Sequence, residues 1–388
     1  VTITAPKGFR AAGVKAAIKA SGNPDLALVV NDGPQKSAAA VFTSNRVAAA
    51  PVHWSRQVVS DGRVDAVVLN SGGANACTGP QGFQNTHATA EKVADVLGVS
   101  ASDVVVCSTG LIGEQLPMDK ILPGVEAAFR DLSEDGGSAA ATAIMTTDSV
   151  SKEAVFTGTD AEGKQFTVGG IAKGAGMLAP GLATMLVVLT TDAEVPADEL
   201  DVVLRDATRV TFDRADSDGC MSTNDTVVLL ASGASEALPS AEQLSEAVTQ
   251  VCAELARKLI GDAEGASHDI AIRTFNAASE RDAEIVSRSV ARSNLFKAAI
   301  FGKDPNWGRV LSAVGTTDAV FEADQLNVAM NGVQICRNGA IGDDRNLVDL
   351  EPREVLVEID LQAGDAEATI WTNDLTHDYV HENSAYSS

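Results

Sequence analysis

A threonine hydroxyl is a weak nucleophile at its ordinary pKa and needs a base beside it. The sequence offers one place where the chain could supply that base itself. Thr184 follows Ala183 at the end of a glycine- and proline-rich stretch and opens an apolar run, Met185-Leu186-Val187-Val188-Leu189. If the backbone were cut between Ala183 and Thr184, the freed α-amine, with a reference pKa of about 7.7–8.0, would lie beside its own hydroxyl. Small residues upstream would let the scissile carbonyl approach, and a strained turn would favour attack on it. Threonine is common in strands, so an Ala-Thr junction needs support from other residues.

Ser108-Thr109-Gly110 closes another apolar run and could place backbone N–H groups around a developing oxyanion; the same residues would serve equally as a plain turn. Asn70-Ser71-Gly72-Gly73-Ala74-Asn75 could cradle an anion through its amides, but it lacks the G-K-[ST] ending of a phosphate loop and reads more simply as a turn. Ser222-Thr223-Asn224-Asp225 reads as a polar cap before a strand, and Asp304-Pro305-Asn306-Trp307-Gly308-Arg309 as a turn anchored by its Trp. Gly174-Ala175-Gly176-Met177-Leu178-Ala179 mimics a dinucleotide fingerprint, yet Pro180 and Gly181 follow at once where a helix should begin. The five histidines, at 53, 87, 268, 377 and 381, form no recognised metal-ligand pair, and G-x-S-x-G is absent. Neither a metal nor an organic cofactor is called for.

These candidates must be held by regular elements. Val- and Ile-rich runs at 26–30, 40–43, 66–69, 104–108, 184–191 and 226–231 predict buried strands. Helical spacing predicts helices over 86–97, 118–129, 196–213, 241–260 and 283–298. Residues 155–166 read as a hairpin, and 355–361 with 366–371 as a closing hairpin around Gly364. The irregular mixture points to a layered α/β or α+β fold and away from a TIM barrel. No linker divides the chain.

With 388 residues, 45% of them hydrophobic, the chain has material for a large core or for two or three domains. Its 29 basic and 53 acidic residues give a net charge of −24, which argues against a nucleic-acid partner, since phosphate contacts need clustered Lys and Arg. No apolar run approaches the ~20 residues of a membrane span. The five cysteines at 77, 107, 220, 252 and 336 show no C-x-x-C pairing and fit reduced thiols in a cytoplasmic protein. Lys7, Arg10, Lys15 and Lys19 give a basic start, but Pro6, Gly8 and Gly13 interrupt any amphipathic helix, so the segment reads as mature protein.

Together the motifs resemble those of the ornithine acetyltransferase family. The similar stretches are Lys173 to Pro180 with Ala183-Thr184-Met185-Leu186, Cys107 to Gly113, Met145-Thr146-Thr147-Asp148, Ser222 to Asp225, Asp304 to Arg309 and Glu382-Asn383-Ser384-Ala385-Tyr386. They stand in family order, and the resemblance runs from Ala5 to Ser388. The resemblance implies transfer of an acetyl group from N-acetylornithine to glutamate, with acetyl-CoA left open as a second donor. It also implies an α-β-β-α sandwich of the DmpA aminopeptidase type and self-cleavage into segments 1–183 and 184–388 that remain associated, in an α2β2 assembly. By the same resemblance Thr184 is the nucleophile and Thr109 with Gly110 forms the oxyanion hole. Thr146, Lys173, Glu264, Asn383 and Ser388 match substrate contacts, so the polar tail, otherwise expected to fray, would be ordered.

Three positions depart from the family pattern. His268 stands near where relatives commonly carry a lysine, Gly181 replaces a small polar residue, and Gly219-Cys220-Met221 leads unusually into Ser222. Two rival readings are an amidase or aminopeptidase on the same scaffold, with water as acceptor, and a dinucleotide-binding protein built on the 174–179 turn.

Overall fold

The computed structural model describes residues 2–179 and 185–385. In chain order its first part contains β1 (Phe9–Val14), β2 (Leu26–Asn31), β3 (Ser37–Phe42), α1 (Ala50–Val58), β4 (Ala66–Asn70), α2 (Gly79–Leu97), β5 (Val104–Ser108), α3 (Met118–Arg130) and α4 (Gly137–Ala143). There follow β6 (Lys152–Thr159), β7 (Gln165–Lys173), β8 (Leu186–Thr191), α5 (Ala197–Val210), β9 (Thr226–Ala231) and α6 (Ala241–Gly261). The central strands β2, β4, β5, β8 and β9 are buried at every residue, which is why they read as unbroken apolar runs and not as alternating ones.

Two sheets result. One has the order β1-β2-β4-β5, the other β3-β9-β8-β7-β6. Their facing sides share one core, in which Ala27, Val29, Val67 and Val105 of the first meet Ile171, Leu186, Val188 and Val228 of the second. The outer face of the first sheet packs Leu28, Val68 and Val106 against Val93 of α2 and Val125 of α3. The outer face of the second packs Val187, Leu189 and Leu229 against Leu204 of α5 and Val251 and Leu255 of α6. The layers therefore run helix, sheet, sheet, helix, as the family resemblance implies. Aromatic residues are only 4% of the chain, and aliphatic side chains fill the gap between the sheets.

A further unit was not separable in the sequence. It contains β10 (Asp269–Ala277), α7 (Glu280–Ala291), α8 (Asn294–Phe301), α9 (Trp307–Val314), β11 (Asn327–Met330), β12 (Val333–Arg337), β13 (Ala340–Ile341), β14 (Glu354–Asp360), β15 (Ala366–Asn373) and α10 (His377–Ala385). Its strands form a sheet of order β13-β12-β11-β14-β10-β15 around a separate apolar core.

Two expectations are corrected here. The helix expected over 283–298 is two helices, because Ser293 leaves helical geometry to cap α8, accepting from Phe296 N–H at 3.2 Å. Residues 355–361 and 366–371 are strands but not partners: β10 lies between them, parallel to β14 and antiparallel to β15. Local sequence adjacency suggested a hairpin, but the buried Ile270 and Ile272 of β10 claim the central place.

The dinucleotide lookalike also dissolves. Gly174 to Ala179 lie beyond the end of β7 at Lys173, and no helix opens within them. All five cysteines are free thiols. Among the described residues no helix is long and apolar enough to cross a membrane. The fully buried Leu255 joins α6 to the second sheet, so Leu255→Ala should cost about 2–5 kcal/mol of stability, measurable by denaturant titration. An unchanged midpoint would contradict the packing described.

Candidate active site

The site lies at one end of the two inner sheets. Lys173 is the last residue of β7 and pairs in register with Leu186 of β8. Thr109 directly follows β5, and Thr146 sits on the loop between α4 and β6. The Lys173 ammonium, fully buried, donates to Thr146 Oγ1 at 2.6 Å and to Thr109 Oγ1 at 3.2 Å. Three distant stretches of sequence thus meet at one cation.

Thr109 does not offer its backbone amide. That N–H donates to Asn70 O at 3.0 Å, continuing the contact between β4 and β5 beyond the last strand pair. Its hydroxyl is what turns inward. The next residue, Gly110, has φ +135°, and a Cβ there would come within 2.6 Å of Gly73 N. No other residue fits that turn without displacing the Gly72-Gly73 backbone. The loop 70–75 is hence a structural support: Asn70 Nδ2 donates to Gly73 O at 2.9 Å, and Ser108 Oγ to Asn70 Oδ1 at 2.5 Å.

Glu264 follows α6 and is held from several sides. Its N–H donates to Ala175 O at 3.0 Å, in the turn just beyond Lys173. Its carboxylate accepts from Thr147 Oγ1 at 2.7 Å and from Asn383 Nδ2 at 3.0 Å. Asn383 lies on α10, so the tail through Ala385 is helical and reaches the site. Close contact between α10 and the Glu264 loop depends on Gly265, which has φ +63° and whose Cβ would lie 2.2 Å from Tyr379 N.

Ala183, Thr184 and Ser388 lie outside the described residues, as does Gly181. The neighbour of Thr184 is described. Met185 is buried, and its N–H donates to Asp225 Oδ1 at 2.9 Å. The start of β8 is thus flanked by Lys173 on one side and Asp225 on the other.

Four carboxylates and cations around these residues carried no signal that spacing alone could reveal. Asp148 Oδ2 accepts from Thr146 N–H at 2.9 Å, while Oδ1 accepts from Gly174 N–H at 2.7 Å and Lys152 Nζ at 2.6 Å. Lys152 also donates to Asp262 Oδ2 at 2.6 Å. Asp225 is fully buried; burial drives its carboxyl well above the usual range, against the Met185 N–H, Ser222 and Lys173, which favour the anion. For Asp148 burial opposes ionisation, but Lys173 and Lys152 outweigh it and bring the carboxyl down to about 2. Burial lowers Lys173 from the usual lysine range, with Asp148 the largest opposing influence. Asp148 and Asp225 stood inside motifs recognised in the sequence, but only tertiary contact gives them partners.

Other candidates are placed elsewhere. Asn224 Nδ2 donates to Ala74 O at 2.6 Å and Ser108 O at 2.8 Å, so Ser222-Thr223-Asn224-Asp225 ties the two sheets together near the site. The Asp304–Arg309 turn caps α9 through Asn306 and packs Trp307 on the C-terminal core. Both ring nitrogens of buried His268 are taken up, by Asp374 Oδ2 at 2.7 Å and Leu350 O at 2.9 Å. A cavity of about 710 Å³ along β3 and α5 shares no residue with this cluster. Among the described residues no group of three or more His, Cys, Asp or Glu side chains is arranged to hold a metal ion.

Gly265→Ala should push α10 off the Glu264 loop. The expected outcome is a KM raised roughly tenfold with a modest loss of kcat, since Asn383 and Glu264 are displaced while Lys173 and Thr109 stay in place. Steady-state kinetics check it, and unchanged KM would show that α10 is not part of the site.

The chain is similar to known proteins along its whole length. The family model described as the ArgJ family matches residues 10–388. The arginine biosynthesis bifunctional protein ArgJ of Streptomyces coelicolor is 67% identical over 388 residues, covering 100% of both chains. That of Bifidobacterium longum is 53% identical over 395 residues, again covering 100% of each. A crystal structure of ornithine acetyltransferase complexed with ornithine, from Mycobacterium tuberculosis, is 56% identical over 48% of this chain and 96% of that chain, with a TM-score of 0.44. On the family match over residues 10–388 and the identities to the Streptomyces coelicolor and Bifidobacterium longum proteins, the chain belongs to the ArgJ family.

Proposed function

We propose that this chain is a glutamate N-acetyltransferase of arginine biosynthesis, which carries the acetyl group of N2-acetyl-L-ornithine to L-glutamate by way of an ester on Thr184. The observation that carries the reading is the buried Lys173, bonded to the hydroxyls of Thr109 and Thr146 and paired across the sheet with Leu186, two residues beyond Thr184. Cationic, hydroxyl and carboxylate groups thus converge where the nucleophile's strand begins, in a chain of the ArgJ family.

The chemistry starts with severance of the Ala183–Thr184 bond. The Thr184 α-amine then takes the hydroxyl proton as the oxygen attacks the acetamide carbonyl. The Thr109 hydroxyl and the Gly110 N–H receive the developing oxyanion, each donor contributing roughly 2.7–4 kcal/mol. Ornithine leaves with the proton from the Thr184 ammonium, and the amine of glutamate attacks the acetyl ester in turn. Lys173, with Thr146, faces a substrate carboxylate; Glu264, steadied by Asn383, faces an amino group, and Ser388 completes the contacts. Segments 1–183 and 184–388 stay together because strands from both lie side by side in one sheet, and the assembly is an α2β2 cytoplasmic enzyme.

Denaturing gels of active protein should show two fragments, one beginning Thr-Met-Leu. Thr184→Ala should give one uncut, inactive chain, and Thr184→Ser a slower but competent enzyme. Activity in the Thr184→Ala variant would end the ester mechanism. Omitting glutamate should stop turnover after one acetyl group per site. Steady release of acetate without glutamate would favour a hydrolase instead. Replacing acetylornithine with acetyl-CoA tests for a second donor.

A further inference from the structure

Among the described residues the substrate contacts of this reading fall into two groups, Thr146 with Lys173 and Glu264 with Asn383. One buried side chain joins the two groups, and it belongs to neither. The Lys152 side chain is 0% exposed, and its ammonium lies 2.6 Å from Asp148 Oδ1 and 2.6 Å from Asp262 Oδ2. Asp148 holds the first group by accepting from Thr146 N–H and from the amide that follows Lys173. Asp262 holds the second, for it stands two residues before Glu264 and accepts from Ser149 N–H at 2.9 Å and from the Ser149 hydroxyl. We propose that Lys152, Asp148 and Asp262 are positioning residues for acetyl transfer, an ion chain centred on a buried ammonium that fixes the spacing between the Lys173 and Glu264 ends of the substrate.

The Asp148 side chain is 0% exposed and accepts from the Thr146 and Gly174 amides and the Lys152 ammonium, all groups beside the site. A charge so buried is tolerated only when fully paired, so its partners cannot drift independently. An ammonium between two carboxylates transmits that constraint from β7 to the end of α6. A substrate with a carboxylate at one end and an amine at the other needs just this fixed separation. The ion chain also affects the proton on Lys173. The charges that face Lys173 are Asp148, Asp225 and Glu264, which favour its cationic form, and Lys152 and Lys19, which oppose it.

The inference rests on the acetyl-transfer reading, and the test separates the two. Wild-type protein is assayed beside Asp148→Asn and Asp262→Asn for glutamate-dependent consumption of acetylornithine, with thermal melts and fragment gels on each. Inactive wild-type protein would reject the reading itself. Given active wild type, both folded variants should show KM raised roughly ten- to a hundredfold with a smaller effect on kcat. In Asp148→Asn the alkaline limb of kcat/KM should also move to lower pH, because Lys173 loses its strongest anionic neighbour and gives up its proton sooner. In Asp262→Asn that limb should stay where it is. A folded variant with wild-type KM, or an unmoved alkaline limb in Asp148→Asn, would overturn the proposal. If neither variant folds, the ion chain serves folding alone and the positioning role is withdrawn.

Discussion

Burial of the Lys173 ammonium is the constraint around which the site is built. An isolated ammonium in an apolar interior is too costly to persist as a cation, and burial here does lower its proton affinity. What makes it tolerable is the convergence of two threonine hydroxyls with the Asp148 carboxylate, delivered by the ends of β5, β7 and the loop before β6. Those ends can meet only because two sheets are stacked face to face and their strands finish at the same level. The sandwich is therefore a device for bringing chain termini of strands together, and the small aliphatic core between the sheets keeps them close.

The same cation explains why the neighbouring polar groups are so fully engaged. Thr109 has given its amide to β4 and has only its hydroxyl to offer. Gly110 turns where a side chain would collide with Gly73. Asn224 ties the loop before α2 to the end of β5. Each arrangement removes one degree of freedom from a group that would otherwise rotate, so that the geometry exists before a substrate arrives.

Much of this was legible in the sequence. Fully buried strands announced themselves as apolar runs, and β2, β4, β5 and β9 fall within a residue or so of their expected bounds. The six-stranded sheet of the C-terminal unit was less legible, because pairing order is a long-range property: nothing in residues 354–373 says that β10, some 80 residues earlier, will come between β14 and β15. The break at Ser293 escaped for a different reason, since apolar spacing continues through it and only the cap marks the interruption. Thr109, Thr146, Lys173, Glu264 and Asn383 were singled out by the family resemblance, and the fold places them in two hydrogen-bonded groups, Lys173 with Thr109 and Thr146, and Glu264 with Asn383. Lys152 and Asp262 were invisible, because a Lys and an Asp 110 residues apart look like any surface charges until tertiary contact pairs them.

The antiparallel pairing of β7 with β8 runs through six register pairs, from Val168 with Thr191 to Lys173 with Leu186. On the proposed reading the covalent connection between these strands is lost once folding is complete, while the ladder remains. Refolding from the denatured state would then be a meeting of two separate polypeptides, second order in concentration and hindered by aggregation of either piece. The mature protein would owe its persistence to a high barrier against opening more than to a reversible equilibrium, a molecule assembled once and not readily assembled again.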